Sequence, residues 1–227
     1  MKQVKGWWLP DSDNHFENYI NDGGYQTIHR DTILKHIRQY KPVTASCIDV
    51  GSHVGFWSKD FTQYFKHVYA FEPIPDVREC YVKNIKKDNY TLHPYGVGSE
   101  EKTIKVLYDP KETGNTHANK QGNLEIQIKR LDSFDMLPID YIKIDAEGYE
   151  IEVVKGAQKI IERDKPFIHV EAKKKVMVKQ NLTMSDIENY FQSINYKQVL
   201  SVKSKLLSAT TCLQHTKLLG VDVYHNE

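Results

Sequence analysis

Residues 46–72 read SCIDVGSHVGFWSKDFTQYFKHVYAFE, and no other stretch of the chain limits its fold as strongly. A short apolar run, Cys47-Ile48-Asp49-Val50, stops at a glycine turn, Gly51-Ser52-His53-Val54-Gly55. Trp57, Phe61, Tyr64 and Phe65 then recur at a helical period, and a second apolar run, Val68–Phe71, ends on Glu72. Strand, glycine turn, helix, strand and acid, in that order, predict the nucleotide-binding half of a doubly wound parallel sheet. Glycine lets backbone approach a ligand, and the helix start offers N–H groups without intrahelical partners. Glu72 follows Gly51 by the interval expected of a carboxylate that takes ribose hydroxyls.

The spelling of the turn narrows the ligand. Position 53 is histidine where a dinucleotide fingerprint needs glycine, and no Gly-Lys-Ser/Thr follows to cradle phosphate. Asp49, just before the turn, would repel a pyrophosphate and suits a cation such as an amine or a sulfonium. The run Asp49 to Gly55, together with Phe71-Glu72-Pro73, is similar to the cofactor motifs of S-adenosylmethionine-dependent methyltransferases. Further on come Lys129-Arg-Leu-Asp132, Ile142-Lys-Ile-Asp-Ala-Glu-Gly-Tyr-Glu150, Val154-Lys-Gly-Ala157 and Val170-Glu171. With these the chain resembles the FkbM family of methyltransferases, over roughly Ile48 to Glu171. The resemblance implies a class I methyltransferase fold: a Rossmann-like, doubly wound α/β sheet of seven mostly parallel strands with an antiparallel last strand. It also implies S-adenosyl-L-methionine as donor, S-adenosyl-L-homocysteine as product, and O-methylation of a hydroxyl on a sugar, polyketide or other small molecule.

On that reading Asp49 and the turn of Gly51, Ser52, His53 and Gly55 hold the methionine end of the cofactor. Glu72 takes the ribose hydroxyls, and Phe71 and Pro73 beside it also bind the cofactor. Gly98, in the turn Gly96–Ser99, and Leu131-Asp132 face the adenine. Asp49, Glu72, Asp145 and Glu171 end four expected parallel strands, and such a sheet gathers strand ends along one crevice. Clustered carboxylates repel one another unless a cation lies between them, and the donor's sulfonium and ammonium would supply one. Asp145 is therefore also expected at the cofactor. A hydroxyl acceptor must lose its proton, and a positioned base contributes about 10²–10⁴-fold. Asp145, Glu147 and Glu171 are the candidate bases. His169 is a further candidate and shares a strand side with Glu171. Other roles stay open: Asp145 and Glu147 capping the next helix, Glu171 pairing with a basic side chain, or the three acids binding Mg²⁺. The sequence permits Mg²⁺ without requiring it, and no metal ligand set is assigned.

Residues 1–24 are expected to form an N-terminal arm packed on a single methyltransferase domain, residues 25–227. Its GWWLPDSDNHFENYINDGG run is too rich in turn residues for a long helix and too aromatic for disorder. The segment Asp109–Asn123 is long for a hairpin loop and is a candidate substrate lid. Trp8, His15 and Phe16 from the arm, and Thr113, Asn115 and His117 from the loop, are the candidate acceptor contacts. The alternatives are that the arm's Trp7 and Trp8 only cover apolar surface and that the loop is a floppy surface excursion.

Elsewhere Ile28, Ile33, Leu34 and Ile37 predict one face of a helix over Tyr25–Tyr40, stopped by Pro42. Capping boxes are expected at Asp76–Glu79 and Ser185–Glu188. Lys102–Tyr108 and Leu124–Ile128 alternate as an antiparallel pair would. Gly156 interrupts a helix opened at Glu150, so either that helix bends or another backbone packs close. Tyr196–Val202 and Leu218–Tyr224 are the expected final strands, joined by polar Lys203–Lys217.

Composition excludes several functions. The 227 residues are 40% apolar and 27% charged, which suits one substantial core. A net charge of +1 argues against broad attraction to nucleic acid or membrane, and Lys173–Lys175 reads as a solvated face. Cys47, Cys80 and Cys212 read as buried free thiols in a reducing cytoplasm. No apolar signal core or bilayer-length run appears. Methylation of an amine or nucleobase commonly uses an Asp/Asn-Pro-Pro-aromatic turn, and Asp145-Ala-Glu-Gly stands there instead. The glycine spacing disfavours an NAD-dependent sugar-modifying enzyme. A non-catalytic ligand-binding module would share every motif named.

Overall fold

The computed structural model describes residues 1–22, 24–40, 45–173, 183–203 and 219–226. Pro42, Lys174, Lys175, Cys212 and the segment between the last two strands lie outside the described residues.

The chain opens with a hairpin, β1 (Lys2–Val4) and β2 (Trp7–Leu9), then helices α1 (His15–Asn21) and α2 (Thr27–Tyr40). Next come β3 (Ser46–Val50), α3 (Ser58–Tyr64), β4 (Val68–Phe71), α4 (Pro75–Asn84) and β5 (Tyr90–His93). A second set of strands follows: β6 (Gly96–Val97), β7 (Lys102–Leu107), β8 (His117–Ala118) and β9 (Leu124–Lys129). The chain then runs through β10 (Ile139–Ile144), α5 (Glu150–Lys155), α6 (Gln158–Asp164) and β11 (Phe167–Lys173). It closes with α7 (Met184–Ser193), β12 (Tyr196–Lys203) and β13 (Leu219–Asn226). The main sheet has the order β12-β13-β11-β10-β3-β4-β5. The pairings from β11 through β5 are parallel, and β13 runs antiparallel to both its neighbours. A separate four-stranded sheet, β6-β9-β7-β8, holds the expected antiparallel pair β7 and β9.

Strands buried on both faces explain why β3 and β10 read as continuous apolar runs. Alternation sends Ile48, Val50, Ile142 and Ile144 into a core with Val153, Val154 and Phe191. It sends Cys47, Val68 and Tyr141 into a second core with Ile33, Ile37 and Phe61. Leu9, Phe16 and Ile20 of the N-terminal segment belong to that second core. The amide of Asn84, at the end of α4, accepts from Trp8 N–H at 2.7 Å and donates to Trp8 C=O at 2.9 Å. It also donates to Val54 C=O at 2.9 Å. Among the described residues no helix is long and apolar enough to cross a membrane.

Several local expectations need correction. Ile28 is 70% exposed. It precedes Ile33 by five residues, which turns it about 140° around the helix from the buried face. Tyr64 closes α3 facing outward, with the Arg38 guanidinium 5.3 Å from its ring centroid. Helix α4 starts on Pro75 without a capping box, because that start puts Asp76 inside the first turn and leaves Ile74, which has no side-chain acceptor, as the N-cap residue; the Glu72 carboxylate takes the Ile74 N–H. The box at α7 forms two residues earlier than expected, between Thr183 and Asp186. Gly96-Val97 is a short parallel strand on β9, not a turn. The 109–123 segment is partly regular, with a 3-10 turn at Thr113–Asn115 and β8 paired to β7.

Both alternatives offered for Gly156 occur together. The helix breaks into α5 and α6 there, and a Cβ at position 156 would sit 2.0 Å from the carbonyl oxygen of Gly98. We expect Gly156→Ala to cost about 1–3 kcal/mol by overpacking. Urea denaturation measures it, and an unchanged midpoint would contradict the close approach.

Candidate active site

The glycine turn after β3 and the turn after β10 meet backbone to backbone. Gly51 has φ +69°, and a Cβ there would lie 1.9 Å from the Asp145 carbonyl oxygen. Only glycine satisfies both the left-handed conformation and that distance. Asp145 N–H donates to Val50 C=O at 3.1 Å, which keeps the two strand ends level. After β4, Glu72 folds back under the glycine turn. One carboxylate oxygen accepts from His53 N–H at 3.0 Å and the other from Ile74 N–H at 2.9 Å. Burial pushes the Glu72 carboxyl up to about 7, against those two N–H bonds and the charges of Arg78 and Lys143. Each oxygen keeps lone-pair capacity for a further donor.

A cation lies among the strand-end acids, and it belongs to the chain. Lys143 is the register partner of Asp49 on one side and of His169 on the other. Its Nζ lies 3.2 Å from Asp49 Oδ1, 3.9 Å from Asp145 Oδ2 and 3.0 Å from the carbonyl of Gly51, to which it donates. Burial alone would push this lysine down. The Asp49, Asp145 and Glu171 charges outweigh it and hold the lysine above its ordinary value. Asp49 is fully buried and also accepts from Ser58 Oγ at 2.6 Å.

One cleft collects most of the expected site. Gly51, Ser52, His53, Phe71, Glu72 and Pro73 line it, as do Asp145 and Glu147. So do His15, Phe16, Thr113, Asn115 and His117, from the two segments expected to face an acceptor. Tyr95, Gly96, Val97, Ile126 and Ile128 line it from the second sheet. Glu147 sits at φ +48°, an uncommon conformation for a residue with a Cβ.

Five expected residues lie elsewhere. Asp49 is spent on Lys143 and Ser58 beneath the turn and does not line the cleft. Gly55 packs its Cα face on Ile85 and Tyr81. Gly98 is backed by Gly156, Ile128 and Tyr149. Trp8 points to α4, with Lys83 Nζ 4.4 Å above its ring. Glu171, 1% exposed, accepts from Gln26 Nε2 at 2.9 Å, and Gln26 in turn accepts from Trp57 Nε1. His169 does share its side, buried against Trp57 and bonded through Nδ1 to the Tyr141 hydroxyl at 2.7 Å. Burial pushes His169 down to about 3, with Lys143 adding to the effect, so it stays neutral. Asp132 caps α6 through the N–H groups of Lys159 and Ile160 rather than facing the cleft. Helix α5 has no side-chain cap at its N-cap residue, Tyr149, and the Glu150 carboxylate instead takes the N–H groups of Ala146 and Gly148 in the turn before it. Among the described residues no three His, Cys, Asp or Glu side chains are grouped to hold a metal ion, so the Asp145, Glu147 and Glu171 set for Mg²⁺ does not assemble.

The Methyltransferase FkbM domain model matches residues 49–197 of this chain. The chain belongs to the FkbM methyltransferase family. This FkbM chain is 30% identical over 115 residues to the hexuronic acid methyltransferase AglP of Haloferax volcanii, covering 48% of each protein. It is 24% identical over 151 residues to Methyltransferase 1 of Beauveria bassiana, covering 51% of this chain and 59% of the relative. It thus spans about half the length of the curated relatives it matches. Among solved structures, the FkbM methyltransferase of Methylobacillus flagellatus superposes with a TM-score of 0.57 at 17% identity. That match covers 80% of this chain and 43% of the other. The N-methyltransferase NodS of Bradyrhizobium japonicum, solved with S-adenosyl-L-homocysteine, gives a TM-score of 0.57 at 8% identity, covering 94% and 93% of the two chains. At such identities the superpositions show a shared α/β fold with a mostly parallel sheet.

Proposed function

We propose that this FkbM chain transfers a methyl group from S-adenosyl-L-methionine to a hydroxyl of a small molecule, a sugar being the favoured acceptor. The observation that carries it is the Glu72 carboxylate, buried under the Gly51–His53 turn in a cleft shared with Asp145 and Glu147. A vicinal diol offers two donors to that carboxylate. Tyr95, Val97 and Ile128 give an apolar wall suited to a purine. The cofactor, when bound, supplies an electrophilic methyl on a sulfonium. The rest is done by the chain's own groups. Asp145 and Glu147, on the turn after β10, are the carboxylates placed to take the acceptor's proton. Lys143 holds Asp145 and the Gly51 carbonyl in fixed relation, which keeps the two turns aligned. Alignment of this kind supplies several kcal/mol of a displacement barrier. His15 and Phe16 of the arm and the 113–118 segment line the side of the cleft that an acceptor would enter. The AglP relative, a hexuronic acid methyltransferase, supports a sugar acceptor.

Thermal melting with ligands tests the reading. S-adenosylmethionine and S-adenosylhomocysteine at about 100-fold over Kd should each stabilise by about 2.7 kcal/mol, and NAD should not. A shift with NAD alone would end the methyltransferase reading.

A further inference from the structure

We infer that Asp13 and Thr113 are positioning residues for the cofactor pocket, acting through the His53 ring on the backbone that faces Glu72. The inference rests on the reading that Glu72 receives the cofactor. Asp13 is fully buried, and its Oδ1 accepts from Phe16 N–H at 3.0 Å. Its Oδ2 accepts the Thr113 hydroxyl proton. Thr113 is 3% exposed, and its Oγ1 lies 2.7 Å from His53 Nε2. A threonine hydroxyl has one proton, and here the carboxylate takes it. What Thr113 offers the imidazole is therefore a lone pair, so Nε2 carries the ring proton and donates. The order of donors runs one way, from His53 to Thr113 to Asp13.

The main chain of His53 continues that line. Its φ is +51°, a left-handed conformation that a residue with a Cβ rarely adopts. In that conformation its N–H meets Glu72 Oε2 at 3.0 Å. The ring is fixed by Thr113 at one edge and by two aromatic rings that pack on each other beside it. The Phe16 centroid lies 4.3 Å away, and Phe56 is stacked at 6.1 Å and 12°. Gly114 presses on the Phe16 ring so closely that a Cβ there would sit 2.6 Å from it. Arm, inserted segment and the residues after the glycine turn thus all touch one side chain. That grip offsets the cost of the backbone conformation which aims an N–H at the carboxylate. The arm, far from the cofactor turn in sequence, becomes part of the cofactor site.

Calorimetric titration of S-adenosylhomocysteine into the full chain tests this. Thr113→Val, nearly isosteric, should weaken binding about three- to tenfold, the worth of one hydrogen bond. Thr113→Ser keeps the hydroxyl and should bind as the parent does. His53→Gly adopts the same φ without a ring, so adding Thr113→Val to it should weaken binding no further. Unchanged affinity in Thr113→Val, even with a lowered melting temperature, overturns the inference and leaves the proposed function standing. An undiminished loss in the His53→Gly background overturns it too, because the effect would not pass through the ring. Failure of the parent chain to bind S-adenosylhomocysteine overturns the proposed function, and the inference falls with it.

Discussion

A Lys143→Met variant is expected to lose about 3–5 kcal/mol of stability, the cost of stranding a buried charge. For a chain of this size that lowers the melting temperature by roughly 6–20 °C. The lysine is 2% exposed and its partner Asp49 is fully buried. Methionine fills much of the same volume, so little of the loss is cavity. What remains is an Asp49 carboxylate with Ser58 as a hydrogen-bond donor and no cation at 3.2 Å. The double variant Asp49→Asn with Lys143→Met removes the stranded charge and should recover most of the loss. Guanidinium denaturation of the parent and the two variants measures both effects. A loss under about 1 kcal/mol in the single variant would show that the pair is solvated and not buried.

S-adenosylhomocysteine is expected to bind about tenfold more tightly at pH 8 than at pH 6. Glu72 is the reason. Burial raises its carboxyl from the ordinary 4.5 to about 7 in the folded chain. The folded state therefore holds this proton more tightly than the unfolded chain. Its contribution makes stability fall as pH rises from 4.5 to about 7, and the penalty is complete above that. Ligand hydroxyls donate to the ionised form, so the cofactor draws the equilibrium the other way and displaces the proton. Binding strengthens as pH climbs through 7 and levels off beyond it. Glu72→Gln cannot ionise and should bind weakly with a flat profile. A parent chain whose affinity does not change between pH 6 and 8 would remove Glu72 from the ligand contact. The variant separates this from Glu150, which burial also pushes up to about 7.

What could be read from the residues follows from how far apart the interacting groups are. The apolar runs of β3, β4 and β10 carry their own signal, since strands buried on both faces leave little room for polar residues. Gly51 and Glu72 were legible because a glycine turn and an acid at a set interval belong to one local unit. Lys143 was not. A single lysine inside Ile139–Ile144 looks like the polar half of an alternation, and its meaning depends on which residue of β3 stands beside it. That register is a property of the folded sheet. Missing it put Asp49 in the cleft, whereas the folded chain pairs it with an internal cation beneath the turn. Asp13 was equally hidden. In an Asp-Ser-Asp-Asn run it reads as turn chemistry, and its partner Thr113 lies in a segment whose path no periodicity describes. Glu171 and Gly98 were misplaced for a related reason. Each ends or follows a strand at the right level, and side-chain direction there is settled by what packs behind it, Gln26 in one case and Gly156 in the other.

The paired bonds from Asn84 to Trp8 have a consequence for how the arm finds its place. An amide that engages both the N–H and the C=O of one residue is a registration mark, because a neighbour in an extended segment presents those groups to the opposite side. A slip of one residue would offer Asn84 the wrong edge of Trp7 or Leu9, and Asp13 would arrive short of Thr113 or overshoot it. The same amide also grips Val54 in the glycine turn. One side chain on α4 therefore sets the address of two distant parts of the cleft together.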